Sequence, residues 1–364
     1  MLERKPFRGR SPKILIIKMS AIGDVIHTLP ALNALRTYYP NAHITWLVEE
    51  AAADIVMGHP ALDRIILSKR KQWVKQFKTR QSKAGLKGII SFINTLRDTR
   101  YDIVIDFQAL LKSAAMTLLS KGKRKIGFAK GMQHAEGSYL FYNEHIPAID
   151  MEVHALKRGL LFLEAMGIPA SDVVYNLPVR NRDRTQISRL LAQNGITGIR
   201  KLFCINPQAT WETKLWENTK FAQLADKLSK TYSADIIFTG GPQDAEAVEM
   251  IRSQMTSKSV NLAGKTTLKT LASLYDRADL LITTDTGPMH MAAALGTRVI
   301  AIFGSTAPWR TGPWGEHCTV VRSGVACSPC FKKKCVNSNL FMECMLKISV
   351  TDIQNMVFKV LRSR

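Results

Sequence analysis

Short apolar runs alternate with helical patterns along nearly the whole chain, and they do so in two successive series. In the first, Ile14-Leu15-Ile16-Ile17 reads as a buried strand, and a helix follows with Ile26, Leu29, Leu32 and Leu35 roughly on one face, ending before Pro40. Further strands are expected at Ile44 to Val48, Ile65 to Leu67, Ile103 to Ile105 and Lys125 to Phe128, with helical patterns at Ala109 to Ser120 and His154 to Met166. In the second series the strands are Leu202 to Ile205, Asp235 to Thr239, Val260 to Leu262, Leu280 to Thr283 and Arg298 to Phe303. The helices between them run about Asn218 to Tyr232, Gln243 to Met255 and Leu268 to Arg277. Such alternation predicts an α/β protein of two doubly wound units, each a parallel sheet with crossover helices. A length of 364 residues accommodates two ordinary domains. The expected organisation is a basic lead-in over 1–12, a first domain over 13–178, a polar linker over 179–184, a second domain over 185–349 and a closing helix over 350–364. Two such domains would turn the ends of their strands toward a shared cleft, where α/β proteins bind ligands.

One stretch points to chemistry. Leu280 to Gly315 reads as strand, tight turn, short helix, strand and second turn. The apolar run ends in Thr283-Thr284-Asp285-Thr286-Gly287, and Pro288 suits the first position of a helix, where a missing N–H costs nothing. Gly296 is placed to end that helix in the left-handed conformation. A helix opened this way presents unpaired N–H groups and its positive dipole end, an arrangement that suits a phosphate.

Hydrophobic residues make up 46% of the chain and charged ones 22%, the profile of a globular protein, while the net charge of +22 fits a generally basic surface, an anionic membrane, a polyanionic substrate or nucleic acid. No recognisable nucleic-acid motif accompanies the charge, so no nucleic-acid partner is expected. The basic N-terminus lacks an apolar core and a cleavage site, and no apolar stretch has the roughly 18–20 residues that span a bilayer, so the protein is expected in the cytosol.

Several motifs, in order, then identify a family. KILIIKMSAIGDVIHTLPAL, DFQALLKSA, NPQATWETKLW, FTGGPQD, TTDTGPMHMAAALGT and FGSTAPWRTGPWG together resemble the glycosyltransferase family 9 enzymes that include the ADP-heptose:lipopolysaccharide heptosyltransferases. The resemblance covers about Lys13 to Thr351. It implies a GT-B fold with an N-terminal acceptor domain and a C-terminal nucleotide-sugar domain. It also implies an inverting transfer of L-glycero-D-manno-heptose from ADP-heptose to the lipopolysaccharide inner core, the acceptor being Kdo-lipid A or a heptosylated core. The final helices of GT-B proteins often return to the first domain, and Val350 to Leu361 is placed to do so. Alternatives are a GT-B transferase of another nucleotide sugar to a cell-envelope acceptor, and a non-catalytic lipid- or nucleic-acid-binding protein on the same fold.

Asp24, after Gly23 in the turn that follows the first strand, is the candidate general base, and the family's catalytic aspartate falls on this position. A placed carboxylate that deprotonates the attacking hydroxyl contributes roughly 10²–10⁴-fold; the alternative is a helix N-cap. Lys214 is the candidate for stabilising the leaving diphosphate, against a solvated surface lysine. In the family a lysine here binds the diphosphate with hydroxyls just before it, and Thr210 matches one. Asp285, Thr286 and Gly287 form the anion turn. The Asp285 side chain would cap the helix or bond sugar hydroxyls, the resemblance favouring sugar contact. His290 faces either the donor or the core. Asp244 is placed either for ribose hydroxyls or as a helix cap. Lys112, Glu136 and His154 resemble positions that line the acceptor cleft. No two aspartates are spaced Asp-x-Asp, the pair that often holds a divalent metal, so no cofactor beyond the ADP-heptose donor is expected.

Two segments remain. Lys69 to Lys87 contains eight Lys or Arg and no acid, interrupted by Trp73, Val74 and Phe77 at helical spacing. It fits either peripheral docking on the anionic inner leaflet of the inner membrane or a solvated helix with its apolar face in the core. Cys327, Cys330, Cys335 and Cys344 begin with the Cys-x₂-Cys spacing of zinc sites, but the later gaps match no common zinc module.

Overall fold

The computed structural model describes residues 11–79 and 81–362. The expected lead-in over 1–12 therefore lies almost wholly outside the described residues. The chain divides into two compact units, Met1–Pro178 and Val179–Arg364.

The first unit holds six strands, β1 (Lys13–Ile17), β2 (His43–Glu49), β3 (Arg64–Ser68), β4 (Arg100–Asp106), β5 (Lys121–Phe128) and β6 (Glu144–Ile146). They form one sheet in the order β3-β2-β1-β4-β5-β6, parallel throughout. Ile14 to Ile17 in β1 and Ile103 to Ile105 in β4 are fully buried, as a parallel sheet covered on both faces requires. The helix Ile22–Tyr38 follows β1 and is buried over most of its first three turns despite an internal Pro30.

The second unit repeats the plan with β7 (Leu202–Asn206), β8 (Asp235–Phe238), β9 (Val260–Asn261), β10 (Leu280–Thr284), β11 (Val299–Ile302) and β12 (Cys318–Val321). The order is β12-β11-β10-β7-β8-β9, again parallel. The final helix Val350–Arg362 buries Val350, Ile353 and Val357 in this unit's core, together with Phe221, Leu224 and Leu228.

Both units thus have a doubly wound, Rossmann-like strand order. Each winds outward from its first strand, then returns to that strand's other side. The reversal falls between β1 and β4 in the first unit and between β7 and β10 in the second. Connections leave toward opposite faces there, so a crevice opens at the carboxyl ends of those strands.

The two units part at 178/179, and the segment 179–184 expected as a linker is not wholly irregular. Helix Asn181–Gln193 starts within it, and Asp183 is buried and paired with Arg180 at 2.9 Å. Its polar first turn has no apolar run to announce it. Edge strands β6 and β12 escaped the apolar pattern for a similar reason, since an edge buries only part of its surface.

The basic segment forms two helices, Arg70–Lys78 and Ser82–Arg97; Arg80 lies outside the described residues. Trp73 packs on Phe92 with ring centroids 5.2 Å apart. A Cβ at Gly88 would stand 2.7 Å from the Trp73 indole nitrogen, so glycine is what lets the two helices close up.

Ile282, fully buried in β10, is a sensitive position: Ile282→Ala should cost about 2–5 kcal/mol in urea unfolding. Ile199, 89% exposed, should tolerate alanine within about 0.5 kcal/mol. Equal losses at both positions would contradict the assigned core.

Candidate active site

In the first unit the turns leaving β1 and β4 are tied together. Asp106, the last residue of β4, pairs with Ile17 across the sheet and is fully buried. Its Oδ1 accepts the N–H groups of Gln108 (2.8 Å) and Ala109 (3.1 Å), and its Oδ2 accepts the Tyr142 hydroxyl at 2.9 Å. Burial pushes this carboxyl up, while hydrogen bonds from Ser113, Ala109, Tyr142 and Gln108 pull it back. The same contacts hold Ala109 at φ 56°, a left-handed conformation that only a well-determined turn sustains. The turn aims the Gln108 side chain back at β1, where its Oε1 accepts the N–H groups of Met19 (3.0 Å) and Ser20 (3.1 Å). Lys18 completes the tie by donating to the Phe107 carbonyl at 3.1 Å.

Asp24 lies just beyond. It is the third residue of its helix and not the N-cap, which is Ala21. Its Oδ2 reaches back to the Ala21 N–H at 3.0 Å; among the described residues no bond takes Oδ1. The carboxylate therefore has a fixed direction and one oxygen to spare. It lines a 180 Å³ cavity with Lys18, His27, Gln108, Met132 and Arg158. Burial lowers the Lys18 ammonium, and the Asp24 charge partly restores it. A carboxylate that shares its cavity with two cations is suited to an acceptor that carries both a hydroxyl and an anionic group.

The expected acceptor residues fall elsewhere. Lys112 donates to the Ser20 hydroxyl at 2.7 Å and pairs with buried Glu49 at 3.2 Å. The Glu136 carboxylate accepts the Leu111 N–H at 3.1 Å, capping the helix Leu111–Leu119. His154 caps the helix Ala155–Ala165 by accepting the Leu156 N–H on Nδ1, and its ring meets His27 edge-on at 5.2 Å. None of the three lines the Asp24 cavity.

In the second unit the turns after β7 and β10 are cross-tied in the same way. Asn206 donates to the Thr286 hydroxyl at 3.2 Å, and the Thr284 hydroxyl donates to the Gln208 carbonyl at 3.2 Å. Lys214 pairs with the Asp285 Oδ2 at 2.7 Å, and the Thr306 hydroxyl donates to the same oxygen at 2.7 Å. Lys214 and Asp285 are both largely withdrawn from solvent, with side chains 16% and 7% exposed. Lys214 is thus no solvated lysine, and the Asp285 carboxylate is committed to it instead of capping the helix.

The helix is Gly287–Ala294, with Thr286 as N-cap and no side-chain cap bond. It begins one residue earlier than the sequence pattern placed it. Pro288 has no N–H, and the Met289 N–H turns to the Thr286 carbonyl at 3.2 Å. Among the described residues no hydrogen bond takes the N–H of Thr286 or Gly287, so these two remain to meet an anion. Gly296 ends the element at φ 80°, as expected. His290 is buried on the helix, and Thr210 is exposed in the turn before Lys214. Asp244 accepts the Gly241 N–H at 2.7 Å and so closes the short turn Pro242–Asp244; it stands at the N-cap of the helix Ala245–Arg252, but its side chain makes no cap bond there.

All six cysteines are free thiols. Burial raises Cys344, with further contributions from Cys330, Cys327 and Cys335. Among the described residues no three His, Cys, Asp or Glu side chains come together as a metal cage.

Sequence reasoning missed Lys18, Asp106, Gln108 and Arg158. The first three had a signal: they are polar residues at the carboxyl ends of the two strands that flank the reversal. Arg158, in the helix Ala155–Ala165, had none.

Comparisons with known proteins bear on the family and the fold. The family model for glycosyltransferase family 9 (heptosyltransferase) matches residues 89–341. The lipopolysaccharide core heptosyltransferase OpsX of Haemophilus influenzae is 29% identical, with 87% of this chain and 86% of that protein covered. Lipopolysaccharide heptosyltransferase 1 of Escherichia coli K12 is also 29% identical, covering 85% and 93%. The solved structure of E. coli heptosyltransferase WaaC with ADP superimposes with a TM-score of 0.75 at 25% identity, over 96% of this chain and 99% of that one. A glycosyltransferase family 9 protein from Veillonella parvula shares the fold, with a TM-score of 0.80 at 24% identity over 97% and 98%. With two Rossmann-like units of the GT-B class and a family match over most of its length, the chain belongs to glycosyltransferase family 9, the heptosyltransferases.

Proposed function

We propose that this protein transfers L-glycero-D-manno-heptose from ADP-heptose to the lipopolysaccharide inner core, with inversion at the anomeric carbon. The observation that carries the reading is the Asp24 carboxylate, held by one oxygen and lining a cavity with Lys18 and Arg158. Relatives named as lipopolysaccharide heptosyltransferases, and structures of WaaC with ADP and with ADP-2-deoxy-2-fluoro heptose, support the donor and acceptor classes.

The first unit then binds the acceptor. Lys18 and Arg158 face its acidic sugar or phosphate, the role expected of Lys112, which is instead bound to Glu49. The acceptor hydroxyl gives its proton to Asp24 as its oxygen bonds to the anomeric carbon. The bond from that carbon to the diphosphate breaks, and ADP leaves with the electron pair. The second unit holds the donor. Lys214 and the N–H of Gly287 meet the charge growing on the diphosphate, Asp244 is available to ribose hydroxyls, and the Asp285 carboxylate keeps Lys214 in place.

We also propose that the protein docks on the anionic cytoplasmic surface of the inner membrane through the helices Arg70–Lys78 and Ser82–Arg97. No residue of the first is buried. Val74, Phe77, Leu86 and Ile90 remain 44–54% exposed beside Lys71, Lys75, Lys78, Lys83 and Lys87. Trp73 takes the core-facing role expected of the whole apolar face. Among the described residues no helix is long and apolar enough to cross a membrane.

Asp24→Asn keeps an acceptor for the Ala21 N–H but cannot take a proton. It should lower kcat by roughly 10²–10⁴-fold while ADP affinity stays near that of the wild type. Asp24→Ala should do the same with an added loss of stability. Turnover by the Asn variant at the wild-type rate would remove Asp24 from the base role. Lys214→Met should reduce kcat by roughly 10²–10³-fold, measured by ADP release at saturating donor; an unchanged kcat would dismiss leaving-group stabilisation. In sedimentation with phosphatidylglycerol vesicles, Lys71→Gln/Lys75→Gln/Lys78→Gln should lose binding at about 1 kcal/mol per charge. Undiminished binding would rule out docking through this face.

A further inference from the structure

The loop that carries the clustered cysteines is strapped to the donor side of the second unit. The Thr213 hydroxyl, immediately before Lys214, donates to the Lys332 carbonyl at 2.6 Å and stands 2.9 Å from the Ser305 hydroxyl. The Ser305 carbonyl accepts the N–H groups of Cys330 (3.1 Å) and Phe331 (2.8 Å). The Ser328 hydroxyl donates to the Gly304 carbonyl at 2.6 Å. Three consecutive anchors therefore fix Ser328 to Lys332 against the end of β11 and the turn after β7. Thr213 and Ser305 are both buried, so these bonds are sheltered from competing water.

The consequence falls on the next residue. Lys333 places its ammonium 5.9 Å from the centroid of the Trp211 ring, and Lys214 places its own 4.6 Å from the same ring. One indole thus gathers two cations, one from each segment. They differ in what opposes their charge. Lys214 is neutralised by Asp285 at 2.7 Å, whereas no carboxylate pairs with Lys333 among the described residues. A leaving diphosphate gains negative charge, and an ion pair with no net charge offsets that only partly. The site needs a cation with uncommitted charge near Lys214, and the loop supplies one.

We infer that Lys333 is a second binding cation for the diphosphate of the nucleotide donor, delivered by the cysteine-bearing loop. The inference rests on the donor reading of the second unit given above. It gives the loop a function that requires no metal: its hydrogen bonds position a lysine. The ligand class is a nucleoside diphosphate, and AMP, which lacks the β-phosphate, should be insensitive to the residue.

The test is calorimetric titration of the full-length protein with ADP and with AMP. Lys333→Gln should weaken ADP binding roughly tenfold, the scale of one charge-assisted hydrogen bond, and leave AMP binding unchanged. Lys333→Arg should recover most of the ADP affinity. Lys258→Gln, an equal loss of charge at an exposed position lining a different cavity, should have no effect. Thr213→Val, which loosens the strap, should weaken ADP less when Lys333 is already Gln than when it is not. If Lys333→Gln binds ADP as the wild type does, or if Lys258→Gln loses as much, the inference is overturned. A wild-type protein that fails to bind ADP would overturn the donor reading itself, a result distinct from a normal wild type with an unchanged variant.

Discussion

A parallel sheet covered on both faces has no room for polar chemistry except at its strand ends, and the organisation of both units follows from that. Ile14 to Ile17 and Leu280 to Ile282 are completely buried, so the first residues able to do chemistry are those just past them. The strand order then selects which ends matter. In each unit the reversal opens a crevice between the first and fourth strands, and Asp24 and Lys214 each follow the first strand bordering it.

Each crevice also has to be held in shape, and the two units solve this alike. A side-chain amide spans the two turns in each: Gln108 to Met19 and Ser20 in the first, Asn206 to Thr286 in the second. A lysine after the first strand crosses to the turn after the fourth: Lys18 to the Phe107 carbonyl, Lys214 to Asp285. A withdrawn carboxylate then fixes the local geometry. Asp106 accepts backbone N–H groups and a tyrosine hydroxyl, while Asp285 accepts a lysine and a threonine hydroxyl. The chemistry is divided the same way, with the proposed proton acceptor in one unit and the cations for the leaving group in the other.

Much of this was legible in the sequence, and what was not has physical causes. The central strands are unbroken apolar runs, so their placement from sequence needed little correction. Edge strands β6 and β12 bury little and so leave no such run, while helix Asn181–Gln193 opens on a polar first turn that reads as linker and buries Ile187 and Leu191 only further on. Asp24, Lys214 and the turn at Asp285 could be singled out because they sit in ordered motifs at strand ends. Their partners were not, because pairing is a tertiary fact: nothing in the sequence around Lys112 shows that Glu49 claims it, or that Glu136 serves Leu111. The same applies to Lys333, which lies 119 positions beyond Lys214 and meets it only through Trp211.

The central claim is inverting heptosyl transfer with Asp24 as base. The most direct measurement is the anomeric configuration of the product formed when the protein is incubated with ADP-heptose and Kdo-lipid A or a heptosylated core. Mass spectrometry should show the acceptor gaining one heptose as ADP appears, and NMR should show the new linkage with the anomeric configuration opposite to that of the donor. A product that retains the donor's configuration, or an acceptor left unchanged while the protein binds ADP-heptose, would contradict the account.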